Sequence, residues 1–237
     1  MARRAADSII KTMEQLPVLL VHGFASSAEH GWREPGWVDL ISESGREAIA
    51  VDLLGHGNSP KPTDPAEYDV VESLVADQIA GYQQVDAIGF SAGSHVLMRL
   101  ASEHPERFHR LALLGVGEKA ISGEGNSIDL ISALEGQPDP ENMEAVVFRR
   151  LADAARNDRT ALVAFLRRKQ ERLTAADVGK ISCPVLIVVG EQDPFGPGDG
   201  LAEAIPGSEL ITLRGVDHFG TPNDVRCMEL VLSFLGV

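Results

Sequence analysis

Short apolar runs alternate with helical patterns along most of this chain. That alternation restricts it to an α/β fold, a doubly wound and mostly parallel sheet with helices on both faces. The apolar runs fall at 18–21, 48–51, 85–88, 111–114, 184–189 and 209–213. Between them, apolar residues at helical spacing predict helices over about 37–44, 70–82, 92–104, 201–204 and 224–235. The helix over 70–82 is expected to turn Val71, Leu74, Val75 and Ile79 inward. Alternation breaks after Gly117. Residues 118–140 are rich in Gly, Ser, Pro and acids, and helical patterns follow over about 141–156 and 159–173. A chain of 237 residues suits one large domain. The expectation is a single core built from 1–117 and 181–237, with 118–180 inserted into it.

Gly89-Phe90-Ser91-Ala92-Gly93 joins the run at 85–88 to the helical pattern that carries Val96, Leu97 and Leu100. A serine on so tight a strand-to-helix turn takes a strained backbone conformation. Residues two positions either side must be small, because strand and helix backbones nearly touch there. The turn lifts the hydroxyl out of the fold and sets a helix N-terminus beside it, ready to stabilise negative charge. A serine hydroxyl is a poor nucleophile at neutral pH and needs a base, normally a histidine that a carboxylate orients. Seven histidines compete for that role: His22, His30, His56, His95, His104, His109 and His218. In doubly wound sheets ligands bind at the carboxyl ends of strands, so each candidate should follow a strand.

The pentapeptide resembles the nucleophile elbow of the α/β-hydrolase superfamily, and the resemblance runs over 17–236. Four further stretches carry it: His22-Gly23-Phe24, the turn at 52–59, Gly190-Glu191-Gln192-Asp193, and Gly215-Val216-Asp217-His218-Phe219. The resemblance implies Ser91 as nucleophile, Asp193 as acid and His218 as base, in the chain order of this superfamily. It also implies that the backbone N–H groups of Phe24 and Ala92 form the oxyanion hole. Glu191 and Asp199 are weaker candidates for the acid, and Asp217 is too close in sequence to orient the His218 ring easily. His95, one turn beyond Ser91, is expected to pack along its helix, while His30 and His56 belong to loops that border a pocket. The glycine-rich turn Asp52-Leu53-Leu54-Gly55-His56-Gly57-Asn58-Ser59 has an architectural role; it lacks the lysine of a phosphate loop. Many members begin with an antiparallel hairpin, and here two alternatives stand: that edge is shortened, or 1–15 supplies one strand or helix.

A serine at position 91 argues against the superfamily branches that use aspartate there. It permits ester, lactone, thioester and carbon–carbon bond hydrolysis. The resemblance makes 118–180 a small helical cap, with Met143, Val147, Phe148, Leu151, Leu162, Phe165 and Leu166 as its apolar residues. The basic runs Arg149-Arg150 and Arg167-Arg168-Lys169 read as a solvated face, with a carboxylate anchor as the alternative. Trp32 and Trp37 either line the pocket or pack. The expected activity is hydrolysis of a small to medium carboxylic ester, without metal or organic cofactor. The alternatives are another carbonyl bond or, from a different class, a ligand-binding protein on the same fold.

Composition narrows the partners. Asp plus Glu number 35 against 21 Lys plus Arg, a net charge of −14, which argues against nucleic acid or an anionic membrane. No run approaches the ~18 apolar residues of a membrane span, and no signal-like apolar stretch follows the N-terminal arginines. Cys183 and Cys227 are expected to be buried thiols, and the protein cytoplasmic. The oligomeric state stays open.

Overall fold

The structure is a computed structural model, and it describes residues 16–122, 128–136 and 138–237. Six strands form one parallel sheet: β1 Val18–Val21, β2 Ala48–Val51, β3 Val85–Phe90, β4 Phe108–Leu114, β5 Val185–Gly190 and β6 Glu209–Leu213. Their spatial order is β2-β1-β3-β4-β5-β6. The chain steps outward from β1 to β2, then returns past β1 to β3 and continues the other way. Strand order therefore reverses between β1 and β3, and the connections leaving their carboxyl ends diverge to open a crevice. Residues 22–24 and Ser91 both stand at that crevice, because Val21 pairs with Gly89 in register.

Helices cover both faces. They are α1 Trp37–Glu43, α2 Val71–Gln78, α3 Ala92–Glu103, α4 Lys119–Ser122, α5 Ile128–Glu135, α6 Met143–Ala154, α7 Arg159–Arg167, α8 Ala175–Val178, α9 Asp199–Ala204 and α10 Val225–Leu235. Successive strand side chains point to opposite faces. Val18 and Leu20 pack with Trp37 and Ile41 of α1 and Val231 and Leu235 of α10. Leu19 and Val21 pack with α2, α3 and α9 on the other face. Covered on both sides, β1 and β5 are apolar throughout, which is why they read as continuous runs.

Several elements differ from their sequence reading. Helix α2 ends at Gln78, and Leu74 is exposed, because the inward stripe is the i, i+4, i+8 row Val71, Val75, Ile79. The helix expected over 159–173 stops at Arg167, and the chain then runs irregularly to bury Leu173. Helices α4 and α5 occupy part of the stretch that composition alone marked as irregular; residues 123–127 and 137 lie outside the described residues. The strand or helix that 1–15 supplies in one of the two alternatives also lies outside them. Short α8 is held by a capping box between Thr174 and Asp177. Both cysteines are buried free thiols, and burial pushes Cys183 up to about 11 and Cys227 up to about 12. Among the described residues no helix is long and apolar enough to cross a membrane.

Candidate active site

Ser91 adopts φ 50° and ψ −112° between β3 and α3, a conformation that costs a side-chain-bearing residue about 1–3 kcal/mol. The glycines on either side explain how the turn closes. A Cβ on Gly89 would lie 2.7 Å from the Ser94 nitrogen, and one on Gly93 would lie 2.0 Å from the Val21 carbonyl oxygen. The strain is held in place by hydrogen bonds. Ser91 N–H donates to the Leu114 carbonyl at 2.9 Å. The Ser94 hydroxyl lies 2.8 Å from the Gly89 carbonyl and 3.0 Å from that of Leu114.

The structure brings three of the sequence candidates together. His218 Nε2 lies 3.1 Å from Ser91 Oγ, and His218 Nδ1 lies 2.9 Å from Asp193 Oδ2. A carboxylate can only accept, so Nδ1 carries the proton and Nε2 presents its lone pair to the serine hydroxyl. Asp193 Oδ1 accepts from Phe195 N–H at 2.9 Å. His218 and Asp193 are buried, and the rings of Phe90, Phe195 and Phe219 surround the imidazole at 4.6–5.2 Å. The competing acids are engaged elsewhere. Glu191 accepts from Gly215 N–H and Asp217 from Gly220 N–H, while Asp199 begins α9.

Phe24 and Ala92 border the same crevice, and neither N–H has a hydrogen-bond partner among the described residues. The Ala92 N–H opens α3, where the helix dipole favours negative charge. The loop that carries Phe24 is braced by residues whose part the sequence did not show. His22 Nδ1 lies 2.7 Å from the Gly23 carbonyl, and Nε2 accepts from Leu53 N–H at 3.1 Å. Burial lowers the His22 pKa, so the ring stays neutral and one nitrogen can accept. Asp52 accepts from Ala28 N–H at 2.7 Å and from Asn58 N–H at 2.8 Å, which gives the glycine-rich turn its architectural part. Asn157, from the α6–α7 connection, donates to the carbonyls of Ala25 and Ser26, both at 2.9 Å, and accepts from Gly57 N–H at 2.8 Å. Nothing local in the sequence marks Asn157, whose partners lie 100 to 132 positions away.

Two cavities meet at Ser91. The smaller, about 250 Å³, is mainly apolar, with Phe24, Phe90, Phe148, Leu151 and Phe219 in its wall beside His218. The larger, about 530 Å³, is lined by His95, Leu130, Leu166 and Arg168 among others. His95 is therefore not the packing residue expected from its spacing; it faces this cleft. His30 borders the smaller cavity as expected. His56 instead packs within 5.6 Å of the His22, Phe24 and Phe165 rings, and burial pushes its pKa well below the usual value. Trp32 lines the smaller cavity, whereas Trp37 packs and donates its indole N–H to the Pro222 carbonyl at 2.9 Å. Among the described residues no group of three or more His, Cys, Asp or Glu is arranged to hold a metal.

The profile of the alpha/beta hydrolase family matches residues 18–227. The chain belongs to the alpha/beta hydrolase family. It is 34% identical over 155 residues to a 2-hydroxymuconate semialdehyde hydrolase of Pseudomonas putida, covering 62% of this chain and 50% of that protein. It is 27% identical over 253 residues to a 2-hydroxy-6-oxononadienedioate/2-hydroxy-6-oxononatrienedioate hydrolase of Klebsiella pneumoniae, covering 92% and 86%. The match thus spans half the length of the first relative and most of the second. Among solved structures, an esterase from Exiguobacterium antarcticum superposes with a TM-score of 0.73 at 21% identity, covering 94% of this chain and 92% of that one. As a member of this family the chain is a hydrolase; which bond it cleaves is a separate question.

Proposed function

We propose that this hydrolase cleaves a small to medium carboxylic ester through an acyl-enzyme on Ser91. The observation that carries the reading is the hydrogen-bonded line Asp193–His218–Ser91, ending at a serine on a strained turn in the crevice. Ser91 Oγ attacks the ester carbonyl carbon while His218 Nε2 takes the hydroxyl proton. The carbonyl electron pair moves onto oxygen, where the N–H groups of Phe24 and Ala92 hold it. Collapse breaks the carbon–oxygen bond to the alcohol, which leaves with the proton from His218. Water then attacks the acyl-enzyme, giving its proton to His218, and Ser91 recovers a proton as the acid departs. Asp193 stays ionised throughout and stabilises the imidazolium.

The segment 118–180 serves as the cap in this proposal. Its support is that Phe148 and Leu151 wall the smaller cavity and that Leu166 and Arg168 wall the larger. The substrate is a small molecule, and the buried free thiols fit a reducing, cytoplasmic setting.

Steady-state hydrolysis of p-nitrophenyl esters from acetate to decanoate tests the activity, with Ser91→Ala in parallel. Turnover that vanishes in the variant supports the acyl-enzyme, and undiminished turnover refutes it. A second reading is favoured by the names of the two sequence relatives, whose substrates are a semialdehyde and dioates rather than esters. In that reading the same groups cleave a carbon–carbon bond beside a carbonyl. A vinylogous diketone acid offered beside the esters separates the two.

A further inference from the structure

Arg168 is a cation for which neither the fold nor the reaction accounts. It follows directly on α7, where the chain leaves helical geometry at φ −58° and ψ 149°. Two other members of the basic runs are engaged, and Arg150 and Lys169 are exposed. Arg167 pairs with Glu135 at 2.8 Å, and Arg149 donates to the carbonyls of Ala133 and Gly136. The Arg168 guanidinium instead stacks 3.7 Å over the Phe165 ring centre and donates from Nη1 to the Phe165 carbonyl at 2.7 Å. Those contacts orient its planar fork without supplying negative charge. No carboxylate among the described residues forms an ion pair with it. Glu72 and Asp69 act on it from the neighbouring groove, yet desolvation outweighs them and lowers its pKa to about 10.

Arg168 lines the 530 Å³ cleft that begins at Ser91 as well as the neighbouring groove, and His95, about one turn along α3 from Ser91, lines the same cleft. The His95 ring has no hydrogen-bond partner among the described residues. Desolvation and the Arg168 charge push its pKa down to about 4, so it is neutral and offers one N–H to the cleft. The other charges there offset each other. Lys119 donates to the Pro194 carbonyl at 2.6 Å, Glu144 is half-buried, and Glu171 and Arg172 are exposed at the rim. In a chain of net charge −14, this leaves one oriented cation and one neutral donor facing a substrate-sized space. A partly desolvated, unpaired charge is costly unless a partner arrives.

We infer that the substrate carries a carboxylate at a distance from its scissile bond, and that Arg168 grips this carboxylate in the wide cleft with His95 as a flanking donor. The inference rests on Ser91 as nucleophile. A guanidinium fork matches a carboxylate with two parallel N–H···O bonds, and the cleft lining, with Lys119, Arg168 and Arg172 against Glu144 and Glu171, carries one net positive charge to balance a monoanion. A phosphate dianion calls for more positive charge than the cleft holds.

The test compares mono-p-nitrophenyl glutarate with its neutral methyl ester, reading the ratio of their kcat/KM values. The wild-type ratio is expected to exceed about tenfold in favour of the anion, and Arg168→Met to lower it by about tenfold or more, chiefly through KM. Arg168→Lys should keep part of the preference, and Arg167→Gln all of it. A wild-type ratio near one, or a ratio that Arg168→Met leaves unchanged, overturns the inference. A second measurement needs no turnover. Glutarate titrated into the Ser91→Ala protein should raise the His95 pKa, followed by NMR on the imidazole signal that is missing in His95→Gln. No response to glutarate overturns the inference, and a stronger response to inorganic phosphate overturns the carboxylate assignment. Failure of the nucleophile reading looks different: neither ester turns over and a fluorophosphonate leaves Ser91 unlabelled, while glutarate still shifts His95.

Discussion

Gly93→Ala tests whether the turn at Ser91 depends on backbones in contact. The added Cβ would meet the Val21 carbonyl oxygen at 2.0 Å and its carbon at 2.6 Å, where ordinary contact begins at 3.4 Å. Both partners are main chain, so no flexible side-chain end can yield. Relief requires α3 to move from β1 by about 1 Å, at the upper end of the usual overpacking cost, ~3 kcal/mol. For a chain of this size that lowers Tm by about 6–12 °C. Val21 leads directly into His22, Gly23 and Phe24, so the same shift separates the Phe24 N–H from the Ser91 hydroxyl. A misplacement of about 1 Å costs roughly 100-fold in kcat. Thermal unfolding and ester hydrolysis are measured together, with Gly81→Ala as control. Gly81 is exposed, has nothing within 4 Å of the added carbon, and should be neutral or gain up to about 1 kcal/mol. A Gly93→Ala protein within about 2 °C of wild type and with kcat within about twofold would refute the reasoning.

Asp193→Asn keeps the shape of the site but can donate where the carboxylate accepted, which turns His218 to the wrong tautomer. Its kcat is expected to fall by roughly 10⁴ with Tm little changed, measured by stopped or coupled ester assays. Asn157→Ala removes three hydrogen bonds between the α6–α7 connection and the two loops at the crevice. It should cost about 1–3 kcal/mol in urea unfolding and lower kcat, whereas stability and kcat both unchanged would deny the bracing role. Stability should also fall on mild acidification. The folded-state pKa values of His22, His56 and His95 lie below the ordinary 6.5, mainly through desolvation. Between those values and 6.5 the unfolded chain binds more protons, so stability is full above pH ~6.5 and declines below it. A urea midpoint at pH 5 equal to or above that at pH 7.5 would contradict this.

The sheet and the three side chains that meet at Ser91 were legible because their signals are local. A parallel strand buried on both faces is a short apolar run, and β1, β3 and β5 each end in a distinctive turn. Ser91 is flanked by two glycines that the turn geometry demands, so sequence and backbone agree there. Asp193 and His218 follow β5 and β6 as strand-end placement requires. What spacing concealed was orientation. Leu74 falls one position off the inward row of α2, and His95 lies within a turn of Ser91 on a side of α3 that meets the cleft. Asn157 takes its meaning from partners far along the chain, and a run of basic residues looks alike whether its members are solvated or desolvated. Only packing separates Arg167 on Glu135 from Arg168 over Phe165.

The division between these two kinds of residue follows from what holds each in place. Ser91, Asp193 and His218 leave strands whose register is fixed by ladder hydrogen bonds, and the site they form inherits that rigidity. The wall of the larger cleft comes largely from 118–180, and that segment meets the crevice loops through Asn157 and a cluster of rings around Phe24, Phe148 and Phe165. Side chains packed on ring faces can be exchanged for others of similar volume at modest cost. A buried carboxylate–imidazole–hydroxyl line cannot lose one member without leaving a polar group unpaired. One reaction core can therefore stand under walls of different chemistry, and in this chain the wall presents Arg168.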